Sequence, residues 1–257
     1  MYKARHGLSF YIETRLHKIL FDLGPNEQFL KNAGRLGVNI ADVDTVVISH
    51  GHTDHGGGME LFLEKNKKAS IYIRENGFRP HSLRFMYMHF SIGLDKKLKS
   101  NSRIIFTEEN DVIDDELFVF AGVSGKELVS RSNRNLYEKI DGRYVRDPFL
   151  HEQNLIISEG DNKVLMAGCA HNGIINIVNK GQELTGGTLT HAISGIHMLT
   201  PNTAKSTNYV DRLGARLMDY RIQYYTCHCT GLKGYQILRS MMGEQIQYAA
   251  TGSVMEI

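Results

Sequence analysis

The sequence predicts an α/β fold of layered sheets and helices, and three observations carry that reading. Short apolar runs of strand character alternate with amphipathic helical stretches along most of the chain. Each half of the chain runs strand, helix, strand. The densest polar cluster, His50-Gly51-His52-Thr53-Asp54-His55, follows directly on the apolar run Thr45-Val46-Val47-Ile48-Ser49, which puts it at the mouth of a buried strand.

Phe10-Tyr11-Ile12 and Ile19-Leu20-Phe21 read as paired strands across a short polar turn. Asn26 caps a helix running to about Leu36, with Phe29, Leu30 and Ala33 on one face and Gly37 as its stop. After the glycines Gly56 to Gly58, a helix carries Met59, Leu61, Phe62 and Leu63, and Ile71-Tyr72-Ile73 is the next strand. Residues 77–103 break the rhythm with Phe78, Phe85, Tyr87, Met88 and Phe90 among many cations and one acid, Asp95. They read as a helical insertion whose charge, carried by Arg84, His89 and Lys96 among others, suits an anionic substrate. A solvated surface helix is the alternative.

Leu117 to Phe120 is again a strand, and the polar, basic stretch from Ser130 to Asp147 reads as a long loop. Leu155 to Ile157 and Val164 to Ala167 are strands flanking a turn at Gly160-Asp161-Asn162. A helix follows from Asn172 to Leu184, then a strand from Leu189 to Ile196. An amphipathic helix runs from Thr203 to Tyr220, capped after Pro201-Asn202, and Gln223 to Thr226 is a strand. A helix and two closing strands finish the chain. No linker or repeat interrupts it, so one domain over 1–257 is expected.

Composition narrows the function. The formal net charge of +2 provides no global field to mark a nucleic-acid or membrane binder. No apolar stretch approaches the roughly 18 residues of a membrane helix, and no signal peptide is legible. Three cysteines make a poor disulfide framework, which points to a cytoplasmic protein.

The chemistry lies in the histidines. Imidazoles and carboxylates are the nitrogen and oxygen donors that a zinc-type dication takes. His50 and His52, two apart in extended chain, point the same way and can share one ion, while Asp54 and His55 lie around the turn. His171 and His228 each follow a strand and precede a helix, as His50 does.

The run from His50 to His55 resembles the HxHxDH signature of the metallo-β-lactamase superfamily. The resemblance extends to Lys18-Ile19-Leu20-Phe21-Asp22-Leu23-Gly24, to Gly168-Cys169-Ala170-His171-Asn172-Gly173-Ile174, to Ser194-Gly195-Ile196-His197-Met198-Leu199 and to Cys227-His228-Cys229-Thr230-Gly231. Those later segments look like a branch of dihydropterin and ribofuranosyl-aminobenzene phosphate synthase-like proteins. The resemblance implies a four-layer αββα sandwich with the helical insertion near 77–103. It also implies that His6-Gly7-Leu8 follows an earlier strand, here missing.

For the site, the resemblance implies two divalent metal ions, zinc first, with manganese or iron as alternatives. One would take His50, His52 and His171, and the other Asp54, His55 and His228. Cys169 and His151 are further candidate ligands, Asp22 would orient a ligating imidazole, and His197 would line the pocket or move a proton. Cys227 and Cys229 read as packing residues on the far side of their strand end. The function expected is a metal-dependent hydrolase, with Asp54 holding the attacking water, acting on small anionic molecules, phosphorylated ones included. The alternatives are a pterinylmethyl transferase and a metal- or ligand-binding sensor that kept the fold. The residues leave the oligomeric state open.

Overall fold

The apolar runs at the front of the chain become strands because their backbones pair while Ile19, Leu20, Phe21, Val46 and Val47 bury in succession, the pattern of a sheet covered on both faces. The computed structural model describes residues 2–198 and 207–257. They fall into two compact units: Met1–Asp111 with Val119–Ala121 and Asn135–Gln153, and Val112–Phe118 with Gly122–Arg134 and Asn154–Ile257.

In the first unit, β1 (Phe10–Glu13) pairs antiparallel with β2 (Lys18–Phe21), with Phe10 opposite Phe21. Beside β2 lie, all parallel, β3 (Thr45–Val47), β4 (Ser70–Arg74) and β7 (Ile104–Thr107), completing a five-stranded sheet. Parallel neighbours need crossover helices, and α1 (Gln28–Arg35) joins β2 to β3. Gly37, at φ +77°, ends α1, with Val38 N–H donating to Ala33 O at 2.9 Å, the bond that closes a Schellman turn. The short α2 (Thr53–Gly56) and α3 (Met59–Lys65) join β3 to β4. Phe29 and Ala33 of α1 and Met59, Phe62 and Leu63 of α3 share one core with Val46, Ile48, Ile71 and Ile73.

A second sheet of this unit corrects two expectations. Residues 77–103 are not a helical insertion: β5 (His81–Phe85) and β6 (Met88–Ser91) form a hairpin, followed by a single 3-10 segment, Lys96–Ser100. Nor is 130–147 a loop, since β10 (Leu136–Ile140) and β11 (Arg143–Arg146) form another hairpin, and β10 pairs with β5. The physical reason is shared. Each hairpin is half of a four-stranded sheet, and its partner lies some fifty residues away, where no local period reveals it.

The second unit holds β12 (Asn154–Glu159) and β13 (Asn162–Ala167), antiparallel, and then β14 (His191–Ser194), β15 (Gln223–Thr226) and β16 (Ile246–Tyr248), each parallel to the strand before it. They belong to a seven-stranded sheet whose last two strands are β9 (Leu117–Phe120) and β8 (Asn110–Val112). The crossovers contain α4 (Ile174–Leu184), α5 (Thr207–Met218) and α6 (Gly231–Met242). The expected cap at Pro201-Asn202 lies outside the described residues. Of the two closing strands expected, the described chain has β16 alone: Ala249 N–H makes a last bond to Thr226 O at 2.9 Å, and Gly252, at φ +87°, turns away. Among the described residues no helix is long and apolar enough to cross a membrane.

Asn66, fully buried after α3, stitches the core of the first unit. Its Nδ2 donates to Ile40 O at 2.9 Å and Val43 O at 2.8 Å, and its Oδ1 accepts from the backbone N–H of Lys68 at 2.9 Å and Ala69 at 2.8 Å. With each net bond worth about 1 kcal/mol, Asn66→Ala is expected to cost about 3–4 kcal/mol in denaturant unfolding. A loss within experimental error would contradict this account.

Candidate functional site

In the first unit β2 and β3 end level, with Phe21 beside Val47, and Val47 lies beside Tyr72, two residues before the end of β4. The chain beyond each end therefore reaches one edge, the usual place for a site in a parallel sheet. Asp22, next after β2 and at φ +63°, is fully buried. Its Oδ1 accepts the Ser49 backbone N–H at 2.7 Å, and its Oδ2 accepts the Ser49 hydroxyl at 2.8 Å and His55 Nδ1–H at 2.6 Å. Because the Ser49 hydroxyl is donated to Asp22, its oxygen accepts His50 Nδ1–H at 2.9 Å. Both imidazoles thus carry their proton on Nδ1 and their lone pair on Nε2, the tautomer of a ligating histidine with an outer partner.

The His50 ring lies 4.5 Å from that of His52 and 4.1 Å from that of His55, centroid to centroid. Asp54 opens α2 and is partly exposed, with Oδ2 3.6 Å from His55 Nε2 and 3.3 Å from His6 Nε2. Burial, reinforced by the neighbouring His151, pushes the His52 imidazole well below its ordinary value.

His151 stands in the same unit with both ring nitrogens engaged. Nδ1 accepts the Gly51 N–H at 2.9 Å, and Nε2 donates to Asp147 Oδ2 at 3.1 Å. The same carboxylate oxygen accepts His81 Nδ1–H at 2.9 Å, and Asp147 Oδ1 accepts the Phe149 N–H at 2.7 Å. Burial alone would raise the Asp147 carboxyl, yet the bonds from His151 and His81 hold it well below the carboxylate range. Burial lowers the His151 imidazole against the opposing pull of Asp147. This buried relay holds the backbone between His50 and His52, and Gly51 itself packs so closely that a Cβ would meet Gly77 O at 2.2 Å. Donor atoms of His52, His81, Asp147 and His151 lie within 4.8 Å of one another.

In the second unit β13, β14 and β15 also end level, at Ala167, Ser194 and Thr226. From these ends emerge Cys169 and His171, His197, and His228 with Cys229. Cys169, His171 and His197 have donor atoms within 4.8 Å of one another, as do Cys169, His228 and Cys229. His171 Nδ1–H donates to Asn133 Oδ1 at 3.0 Å, and Asn133 Nδ2 returns a bond to His171 O at 2.7 Å, again leaving the lone pair on Nε2. His197, whose ring lies 4.4 Å from that of His171, has a buried Nδ1 with no hydrogen-bond partner among the described residues. Burial would raise the Cys229 thiol, but Cys169, His228 and His197 outweigh it and hold the thiol well below its ordinary value.

Of the residues expected to grip substrate, Arg84 donates to Met86 O at 3.3 Å and Tyr137 Oη at 3.3 Å, and His89 stacks on Tyr144 at 3.8 Å. Both serve the four-stranded sheet, whereas Lys96 is exposed on its 3-10 turn. Several residues escaped the sequence reading. His6 reaches Asp54, Asn133 orients His171, and His81 with Asp147 holds His151. Gln153 donates to Ile48 O at 2.9 Å and Tyr72 O at 3.0 Å. Except for Asp147, four residues before His151, they lie far in sequence from the groups they hold, where no local spacing signals them. Cys227-His228-Cys229 does not continue the strand alternation, since His228, at φ +47°, opens a 3-10 turn that changes the direction of the buried Cys229.

The donor set suits divalent metal, because the imidazoles present lone pairs fixed by outer hydrogen bonds and the thiols are buried beside them. A model of the metallo-β-lactamase superfamily matches residues 2–129. The chain belongs to that superfamily. Its relatives include the 7,8-dihydropterin-6-methyl-4-(β-D-ribofuranosyl)-aminobenzene-5'-phosphate synthase of Methanocaldococcus jannaschii, 25% identical over 271 residues, with 98% of this chain and 90% of the relative covered. An uncharacterized protein of the same archaeon is 27% identical, covering 99% of this chain and 94% of its own length. Among solved structures, Tm1679, a metal-dependent hydrolase of the β-lactamase superfamily, matches with a TM-score of 0.81 and 25% identity over 100% of this chain and 93% of that one.

Two outcomes test the first unit of this superfamily member. Asp147→Ala strands two buried imidazoles and is expected to cost about 3–5 kcal/mol of unfolding free energy, measured by denaturant titration. The folded-state values of His52 and His151 are depressed, so the unfolded chain binds more protons below about pH 6.5. The stability these groups contribute is present above that pH and is lost as pH falls. Metal-free protein should therefore melt at a lower temperature at pH 5.5 than at 7.5, and the reverse order would refute the buried neutral histidines.

Proposed function

We propose that the protein is a metal-dependent hydrolase of small anionic molecules, phosphorylated ones foremost, using two divalent ions with zinc first. The ligands are those the family motifs assign: His50, His52 and His171 for one ion, and Asp54, His55 and His228 for the other. The observation that carries the reading is the tautomer set by Asp22 and Ser49, which leaves His50 and His55 with Nε2 as the ligating atom. The likeness to Tm1679 over the whole chain supports the reaction class.

The ions, when bound, supply Lewis acidity that polarises a substrate oxygen and eases loss of a proton from water. Asp54, whose side chain is partly exposed, holds that water and accepts its proton. Asp22 and Ser49 hold the motif imidazoles so that no reorganisation is needed during the reaction. His197 passes a proton to the departing group.

A second reading has one specific support, the synthase relative that covers 98% of this chain. In it the same residues serve transfer of a pterinylmethyl group from a diphosphate to an arylamine.

Protein purified without chelator should contain divalent metal and hydrolyse bis-p-nitrophenyl phosphate, and chelation should abolish turnover. Asp54→Asn should lower turnover by about 10²–10⁴ with unchanged circular dichroism. Undiminished turnover in that variant would overturn the role of Asp54. Full metal occupancy with no hydrolysis, but coupling of a pterinylmethyl diphosphate to an arylamine, would favour transfer. Metal without any turnover would favour a sensor.

A further inference from the structure

The second unit places one more sulfur at its strand ends than the motifs account for. We propose that Cys229 is a metal ligand, forming with Cys169 and His228 a thiolate–imidazole site. This rests on the metal-binding reading above and deepens it, because it sets which metals the site prefers.

Three observations converge. Cys169 and Cys229 are 3% and 2% exposed, and their sulfurs lie within 4.8 Å of each other and of a ring nitrogen of His228. The Cys229 sulfur is held on two sides, accepting the His197 backbone N–H at 3.1 Å and donating to Cys169 O at 3.9 Å. The chain beside it is moulded to the sulfur: a Cβ at Gly195 would stand 2.6 Å from Sγ, so only glycine lets the loop after β14 pass. The local fold also gives Cys229 its direction. Cys227 ends in extended backbone at φ −162°, His228 turns at φ +47°, and a 3-10 turn, His228–Thr230, follows. That turn is pinned by Thr230 Oγ1, which accepts the Ile196 N–H at 2.9 Å, and by Met198 N–H on Cys229 O at 2.7 Å.

Two thiolates and an imidazole are a soft donor set, which selects zinc, cobalt or cadmium over manganese or magnesium. Binding replaces the thiol protons: two S–H groups and one dication give two metal–sulfur bonds and two protons released to solvent, with no change of oxidation state. Tetrahedral sulfur ligation at about 2.3 Å asks for only a small closing of the cluster.

The test is titration of the metal-free full chain with Co²⁺, followed by absorption and by metal analysis of the desalted complex. The expected result is a thiolate-to-cobalt charge-transfer band in the near ultraviolet whose intensity corresponds to two sulfurs per ion. Cys229→Ser should halve that band, and Cys227→Ser should leave it unchanged. The two-sulfur intensity is read on the unaltered protein, so the result stands even where a variant fails to fold. Cobalt bound with visible bands alone, or with a one-sulfur band that Cys229→Ser does not touch, overturns the role of Cys229 and leaves imidazole ligation standing. No cobalt bound overturns both this proposal and the metal-binding reading beneath it.

Discussion

A carboxylate buried without a cation beside it has to be held by donors, and everything in the motif loop follows from how Asp22 meets that demand. Its two oxygens take the Ser49 amide, the Ser49 hydroxyl and the His55 ring. Each of those bonds has a second consequence. The amide fixes where the chain leaves β3, the hydroxyl is turned so that its oxygen receives His50, and the His55 proton is confined to Nδ1. Asp22 thus decides the tautomers of two histidines without being near enough in sequence to belong to their motif. Breaking such a buried arrangement leaves polar groups in the interior without their partners, the expensive kind of polar loss.

The two units solve the same problem with different materials. In each, parallel strands end level and the loops beyond them carry the chemistry, because a parallel sheet leaves its last carbonyls and amides facing one edge. The first unit fills that edge with imidazoles and carboxylates and braces it by the relay through His151, Asp147 and His81. The second adds sulfur and accepts three residues in left-handed backbone, Ala170, His197 and His228, next to the candidate ligands. Non-glycine residues hold such angles only where their surroundings over-determine them, and the bonds on Cys229, Thr230 and Asn133 are those surroundings.

How much was legible follows from the range of each interaction. The strands Phe10 to Ile12, Leu117 to Phe120 and Gln223 to Thr226, and the helices after Asn26 and Gly58, were readable because burial patterns and caps are local. The hairpin Leu136–Ile140 with Arg143–Arg146 was not, since its second strand is exposed and its first buries a charged Glu138 beside Leu136 and stands by pairing with His81–Phe85. Those same strands absorb the aromatic and cationic residues that suggested a helix over 77–103, with His89 lying on Tyr144 and Arg84 on Tyr137.

By itself the sequence determined the α/β class, the positions of most strands, the motif histidines and the superfamily, because ligand spacing after a strand is a property of a few consecutive residues. Only the tertiary structure decided which nitrogen of each imidazole keeps its proton, that His151 is engaged by Asp147 and Gly51, and that Cys229 turns toward Cys169. Apart from the Asp147–His151 bond, those outcomes depend on groups dozens of residues apart meeting at 2.6 to 3.1 Å, and a linear pattern holds no record of that.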